Sequence, residues 1–294
     1  MNWTRWALVA AFFGCPVWLA SLSASPAQPG EQNLPIARPV EMPFELYDDH
    51  LIVVKGSVGY IENVRVMLDT GKNPTAISHE IAEQLNLRGN RESLLMSNGS
   101  IEVQSVILPG IQVGAWHAES IKVLVQDLGY LQRKLGVSIA GIVGLDVLGT
   151  GCFMIDYGKK KITFGHREAG GKAVPFTTRL PFLTVTARVE GREVRLLVDS
   201  GTSGLLVYRK RLQRTLERST DRDFLISTAA GSLHARWFRA SDVSLGEENL
   251  GPQNVVIADV DPDPRFDFDG LLGFTKLGFR KVRFDFDHNL LGWD

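Results

Sequence analysis

The sequence predicts an all-β protein of two lobes, built from one duplicated unit. Three observations carry that prediction. Two strings, Leu68-Asp69-Thr70-Gly71 and Val198-Asp199-Ser200-Gly201, lie 130 positions apart, each behind an apolar, strand-like run. The segment 141–164 aligns without a gap on 270–293, at an offset of 129. Short β-rich runs separated by turn residues fill both halves.

The aligned segment is the strongest of the three. Gly141, Gly144, Leu148, Gly149 and Asp156 match Gly270, Gly273, Leu277, Gly278 and Asp285. Apolar pairs keep step: Ile155 with Phe284, Tyr157 with Phe286, Ile162 with Leu291, Phe164 with Trp293. Turn signals correspond as well, Asn98-Gly99 with Ala230-Gly231 and Gly114 with Gly246. A period this long indicates a duplicated domain, because solenoid repeats are much shorter. The 294 residues agree with two units of ~150 residues each.

Strands open each half, Leu51 to Val54 in the first and Phe182 to Val185 in the second. Each half is expected to hold one helix just after its Asp string. Ser78 can cap a helix from His79 to Leu85, with Ile81, Ala82 and Leu85 on one face. Its expected counterpart runs from Tyr208 to Leu216. The domain plan is a signal peptide (1–27), a Pro-rich extended lead-in (28–44), a first repeat (45–165), a Gly- and charge-rich linker (166–174) and a second repeat (175–294).

Net charge is −1, with no basic stripe and no aromatic–basic interleaving, which argues against a nucleic-acid partner. The cluster Arg209, Lys210, Arg211 and Arg214 reads as a solvated helix face. The N-terminus follows an export pattern: Arg5, then an apolar stretch from Ala7 to Ala20 broken by Gly14, Cys15 and Pro16, then small residues. The stretch is too short and interrupted for a membrane span. An exported protein, periplasmic or secreted, is expected, with no stable span after signal removal and lipid anchoring at Cys15 as the lesser alternative. Cys152 then stands alone, so no disulfide is expected, and it reads as a small buried apolar residue. No His/Cys/Asp/Glu grouping has zinc spacing, so no metal is expected.

Two related halves, each offering one Asp on a tight Gly turn, can set two carboxylates face to face. Such a pair holds one proton in common, because like charges a few ångströms apart resist double ionisation. That is the machinery of acid–base hydrolysis by an activated water.

These residues resemble the retropepsin and pepsin superfamily of aspartic proteases, whose pattern is apolar-apolar-Asp-Thr/Ser-Gly followed by apolar-apolar-Gly. Here the second elements are Ile142-Val143-Gly144 and Leu271-Leu272-Gly273. The resemblance covers about residues 45–294 and is nearest to bacterial retropepsin-like domains. It implies a two-lobed, pepsin-like acid protease fold made from two homologous retropepsin-like β-barrel repeats. It also implies an aspartic endopeptidase whose catalytic residues are Asp69 and Asp199. Thr70, Gly71, Ser200, Gly201 and Thr202 would support the dyad. Hairpins with Asn98, Gly99, Ala230 and Gly231 at their tips would serve as flaps over an extended protein or peptide substrate. No cofactor is implied, and a monomer suffices for the site.

One position departs from the pattern. The second Asp string continues with Thr202 and Ser203, whereas the first continues with Lys72 and Asn73. An ammonium within ~4–6 Å of Asp69 would lower its pKa by roughly 1–3 units. Alternatively, the Lys72 stem runs along the surface and its charge stays in water. The departure keeps open a catalytically silent peptide-binding module of the same fold, with Lys72 disabling the dyad; a further alternative is a structural or envelope-associated β protein in which both Asp turns only pin the fold. Remaining acids read as structural. Asp156 and Asp285 sit at strand ends, Asp146 orders the turn after Gly144, and Asp259, Asp261, Asp263, Asp267 and Asp269 belong to a solvated acidic loop, for which calcium is the alternative.

Overall fold

The computed structural model describes residues 40–96, 99–165, 171–179, 182–211, 223–228, 231–260 and 265–294. These form a mainly β chain in two sheets, with short helices. An eight-stranded sheet carries the first half, in the order Glu45–Tyr47, Leu51–Val58, Ile61–Leu68, Gly141–Val143, Ala76–Ser78, Trp116–Gln126, Gly99–Val113, Asn90–Met96. The second half repeats the order from Phe182–Val189 through Arg192–Val198, Gly270–Leu272, Leu205–Tyr208, Gln253–Ala258 and Gly231–Ala240 to Asp223–Thr228. Each half curls back on itself: Ser57 pairs with Gln112 in the first, Arg188 with Ser244 in the second.

The Asp strings sit where the chain crosses itself. The strand Ile61–Leu68 leads into Asp69, and Gly141–Val143 lies parallel to it, with Leu68 opposite Val143. Gly141–Val143 is in turn antiparallel to Ala76–Ser78, which leaves the Asp turn on the other side. The second half does the same, with Val198 opposite Leu272 and Leu205–Tyr208 as the outer neighbour. A strand covered on both faces reads as a continuous apolar run, which is why Val66-Met67-Leu68 and Leu196-Leu197-Val198 are all buried.

The crossing explains the repeated glycines. A Cβ on Gly141 would stand 2.5 Å from the Ala76 carbonyl oxygen, and one on Gly270 would stand 2.0 Å from that of Leu206. On Gly144 and Gly273 it would meet the Lys72 and Thr202 carbonyl oxygens at 2.5 and 2.1 Å. Backbone approaches backbone too closely there for any side chain.

A bridging layer joins the halves. Phe153–Asp156 pairs antiparallel with Lys281–Asp285, and the register is reciprocal: Phe153 opposes Phe284, while Ile155 opposes Val282. At the offset of 129, Phe153 corresponds to Val282 and Ile155 to Phe284, so the pairing has an approximate two-fold axis. The layer continues outward through Lys161–Phe164 to Val40–Pro43 on one side, and through Leu290–Trp293 to Lys172–Arg179 on the other. Thus Val40–Pro43, within the segment read as a lead-in, and Lys172–Arg179, which starts within the segment read as a linker, take equivalent places in the two halves. One hydrophobic cluster runs through this layer from Ile52, Val66 and Trp116 to Leu196, Phe279 and Trp293.

The first helix is His79–Gln84, with the Ser78 hydroxyl accepting from the Ile81 amide at 3.3 Å and with Ile81 and Ala82 buried. The expected second helix differs. Tyr208 closes the strand Leu205–Tyr208, opposite Ala258, with its ring beside Phe268. A 3-10 turn spans Arg209–Arg211, and 212–222 lie outside the described residues. Cross-strand pairing outweighs the helical spacing at Tyr208. Among the described residues no helix is long and apolar enough to cross a membrane.

Phe153 and Phe284 stack at 4.5 Å between centroids, and both are fully buried. Phe284→Ala is expected to lower stability by about 3–5 kcal/mol, measured by urea denaturation. A loss below about 1 kcal/mol would mean that the two halves are held together without this ring pair.

Candidate active site

The crossing brings Asp69 and Asp199 together, with both residues at 0% exposure. Each Asp amide donates to the inserted strand of its own half, Asp69 to the Val143 carbonyl at 3.0 Å and Asp199 to that of Leu272 at 2.9 Å. Each carboxylate accepts a bond from its own turn: the Gly71 amide to Asp69 Oδ1 and the Gly201 amide to Asp199 Oδ1, both at 2.8 Å. The glycines also make room for the opposite acid. A Cβ on Gly71 would lie 2.6 Å from Asp199 Cγ, and one on Gly201 would lie 2.9 Å from Asp69 Oδ2.

The hydroxyls of Thr70 and Ser200 reach across. Thr70 Oγ1 donates to the Val198 carbonyl and accepts from the Ser200 amide, both at 3.0 Å. Ser200 Oγ donates to the Leu68 carbonyl at 3.4 Å and accepts from the Thr70 amide at 3.0 Å. Each hydroxyl thus works as both donor and acceptor in a buried place where an unmet backbone group would be costly.

Burial pushes both carboxyl groups upward. Asp199 lies well above the usual carboxylate range through burial, reinforced by the neighbouring Asp69 charge. Asp69 is raised by burial too, against the opposing pull of the Gly71 amide, the Asp199 side chain, Lys72 and the Gly201 amide. Asp69 Oδ2 and Asp199 Oδ2 are buried, and no well-aligned hydrogen bond from a described residue ends on either. Those oxygens are the acceptors a bound water would find.

Lys72 corrects the expectation that its charge stays in water, because the residue is 0% exposed. Its backbone is clamped within the crossing: the amide donates to the Asp69 carbonyl at 3.2 Å, and the carbonyl accepts from the Leu145 amide at 2.8 Å. The side chain therefore points inward, and Nζ donates to Gln126 Oε1 at 3.1 Å. Burial lowers the amine to about 8, with Asp69 and Asp146 acting against the fall. The equivalent position in the second half is Thr202, also buried.

Asp146 does more than order its turn. From the short helix Leu145–Leu148 its carboxylate accepts from the Thr75 amide at 2.9–3.0 Å and from the Thr75 hydroxyl at 2.7 Å. Thr75 Oγ1 in turn accepts from the Gly144 amide at 3.0 Å. Sequence reading missed Gln126, Thr75, Tyr130 and Tyr157. Gln126 is a polar residue closing an apolar strand, Val123 to Val125, which is a weak signal. The Tyr157 hydroxyl is buried and takes no hydrogen bond among the described residues; burial raises its pKa, with the Asp199 charge adding to it.

The candidate flaps are two hairpins, Asn90–Met96 with Gly99–Val113 and Asp223–Thr228 with Gly231–Ala240. Gly99 and Gly231 begin the returning strands, while Asn98 and Ala230 lie outside the described residues. A cleft of about 370 Å³ opens beside the first hairpin, walled by Ile101, Val103, Val125, Gln126 and Tyr130, with His79 at its edge. Tyr130 is near enough to Asp69 for that charge to add to the upward push of burial on its phenol. The other acids have local partners. Asp156 accepts from the Lys159 amide, Asp285 from the His288 amide and the Cys152 thiol, and Asp267 and Asp259 pair with Arg195 and Arg209. Residues 261–264 of the acidic loop lie outside the described residues.

Native Lys72 loses its proton near 8, whereas in the unfolded chain it does so near 10.5. Between those values the unfolded state binds more protons, so stability rises with pH. Relative to Lys72→Met, the wild type is expected to gain stability as the pH rises from 8 towards 10 and to show no such gain below 8, read by urea denaturation at each pH. A difference that is flat across that window would place the amine outside the core.

A search of curated proteins found no significant match. A family profile described as aspartyl protease matches residues 54–147 and again 185–275. Each match holds one Asp turn, one hairpin and one inserted Gly strand. The chain therefore belongs to the aspartyl protease family, with the family's unit present twice.

Proposed function

We propose that the protein is an aspartic endopeptidase that hydrolyses peptide bonds through a water held between Asp69 and Asp199. The observation that carries this reading is the buried carboxyl pair in a mirrored cage, with one member raised well above the carboxylate range. Such a pair keeps one proton at mildly acidic pH, which is the state the chemistry needs. One carboxylate takes a proton from the attacking water, and the other acid protonates the peptide carbonyl oxygen. A pepsin-like arrangement of two barrel-like halves supplies both groups from one chain, so a monomer suffices. The cleft beside the first hairpin accepts a side chain of an extended substrate strand, and the two hairpins close over it. The N-terminal export pattern supports a periplasmic or secreted site for this activity.

A second reading is favoured by one observation, the buried Lys72 on the Asp69 turn, whose charge acts on Asp69. In it the same cleft holds peptides without cutting them. Gain of cleavage in Lys72→Ala over an inert wild type would establish that reading.

For the protease reading, Asp199→Asn is expected to lower kcat/KM on an unfolded protein by roughly 10³-fold or more with the fold retained, and Asp69→Asn to abolish cleavage as well. The pH–rate profile should be bell-shaped. Its falling limb should lie above the range of free carboxyls, because burial raises the group whose proton is lost there. A well-folded wild type inert to varied unfolded substrates from acid to neutral pH would end this reading.

A further inference from the structure

The cage around the two carboxyl groups is mirrored through its second glycine and then breaks symmetry. Amide bonds from Gly71 and Gly201 have equal lengths, and Thr70 and Ser200 exchange equivalent bonds. One residue later, the first half buries an ammonium group and the second half buries a hydroxyl, Lys72 against Thr202. The groups around Lys72 come from three elements: Asp69 from its own turn, Asp146 from the helix Leu145–Leu148, and Gln126 from the end of the strand Trp116–Gln126. Asp146 is already held by the Thr75 amide and hydroxyl. Burial raises the Tyr130 and Tyr157 phenols, with the Asp69 and Asp199 charges respectively adding to it, so both stay neutral in the working range. The charge that distinguishes the two acids is therefore on the Asp69 side.

We propose that Lys72 is a positioning residue that localises the single shared proton on Asp199 and keeps Asp69 as the carboxylate. In its catalytic meaning this rests on the protease reading above; as a statement about charge it does not. It assigns the roles. Asp69 takes a proton from water as the oxygen–carbon bond forms, and Asp199 gives its proton to the carbonyl oxygen. When the resulting diol collapses, the carbon–nitrogen bond breaks. The proton on Asp69 passes to the amine, and a diol hydroxyl returns its proton to Asp199, restoring the starting state.

The test is a stability cycle that needs no substrate, made on the purified protein near pH ~6, between the ordinary carboxyl and lysine ranges. Asparagine mimics a protonated carboxyl, so Asp199→Asn should keep the wild-type melting temperature within about 2 °C. Asp69→Asn removes the carboxylate that acts most strongly on the buried ammonium, leaving Asp146, which Thr75 already holds, and should lower the melting temperature by roughly 5–10 °C. Adding Lys72→Met to Asp69→Asn should recover at least half of that loss. If Asp69→Asn does not fold, folding of the double variant carries the same conclusion. Equal losses from the two asparagine variants, or no recovery in the double variant, would overturn the proposal.

Where the wild type cleaves, Lys72→Met should move both limbs of the pH–rate profile upward by about one unit or more, since a cation favours ionised carboxyls. A merely structural lysine would reduce the rate at every pH and leave the limbs in place, and that result also overturns the proposal. Absence of wild-type cleavage would end the protease reading, while the stability cycle would still decide the charge assignment.

Discussion

The reciprocal exchange between the Thr70 and Ser200 hydroxyls is the constraint on which the rest depends. Two tight turns from opposite halves would otherwise bury backbone groups that no strand can reach. Each hydroxyl satisfies an amide and a carbonyl of the other half, so neither turn is fully bonded until both are in place. The register across the centre is thereby fixed, as the proposed dyad would require of two carboxyl groups sharing one proton.

Holding two acids out of water opposes folding, because the charged forms lose their hydration. Three features offset that cost. Each carboxylate receives an amide bond from its own turn, burial holds Asp199 towards its neutral form, and the Lys72 charge acts on Asp69. The apolar bridging layer supplies the driving force around this polar centre. Fully burying a side chain such as Phe284 or Val282 contributes about 1.5–3 kcal/mol each. The polar cage thus gives geometry, and the surrounding rings and aliphatic chains give stability.

Much of this was legible in the sequence, for physical reasons. A tight turn that must approach another backbone demands Gly, so Gly71, Gly141, Gly144 and their partners mark the crossing in plain text. Strands covered on both faces demand continuous apolar runs, so the lead-ins to both Asp residues are visible. The aligned segment 141–164 with 270–293 exposes the duplication. What was not legible depends on contacts between distant segments. The burial of Lys72 is decided by Leu145 and Gln126, which follow it by 73 and 54 positions. Asp146 finds Thr75 only after the strand Gly141–Val143 has been inserted. Tyr208 has a helical neighbourhood in sequence and a strand partner, Ala258, in space.

Fusing two like units into one polypeptide has a consequence that the mirrored register of Phe153–Asp156 with Lys281–Asp285 makes concrete. A symmetric homodimer with the same central pairing would have to carry every side chain twice. A lysine at the position of Lys72 would then place two ammonium groups around one carboxyl pair, and their mutual repulsion would add to the desolvation of both. Covalent duplication lifts that restriction. Each of the two equivalent positions mutates on its own, and a charge tolerable once but not twice becomes accessible to natural selection. In this chain the divergence falls at Lys72 and Thr202, beside the paired acids, while the residues that close the centre keep their two-fold likeness.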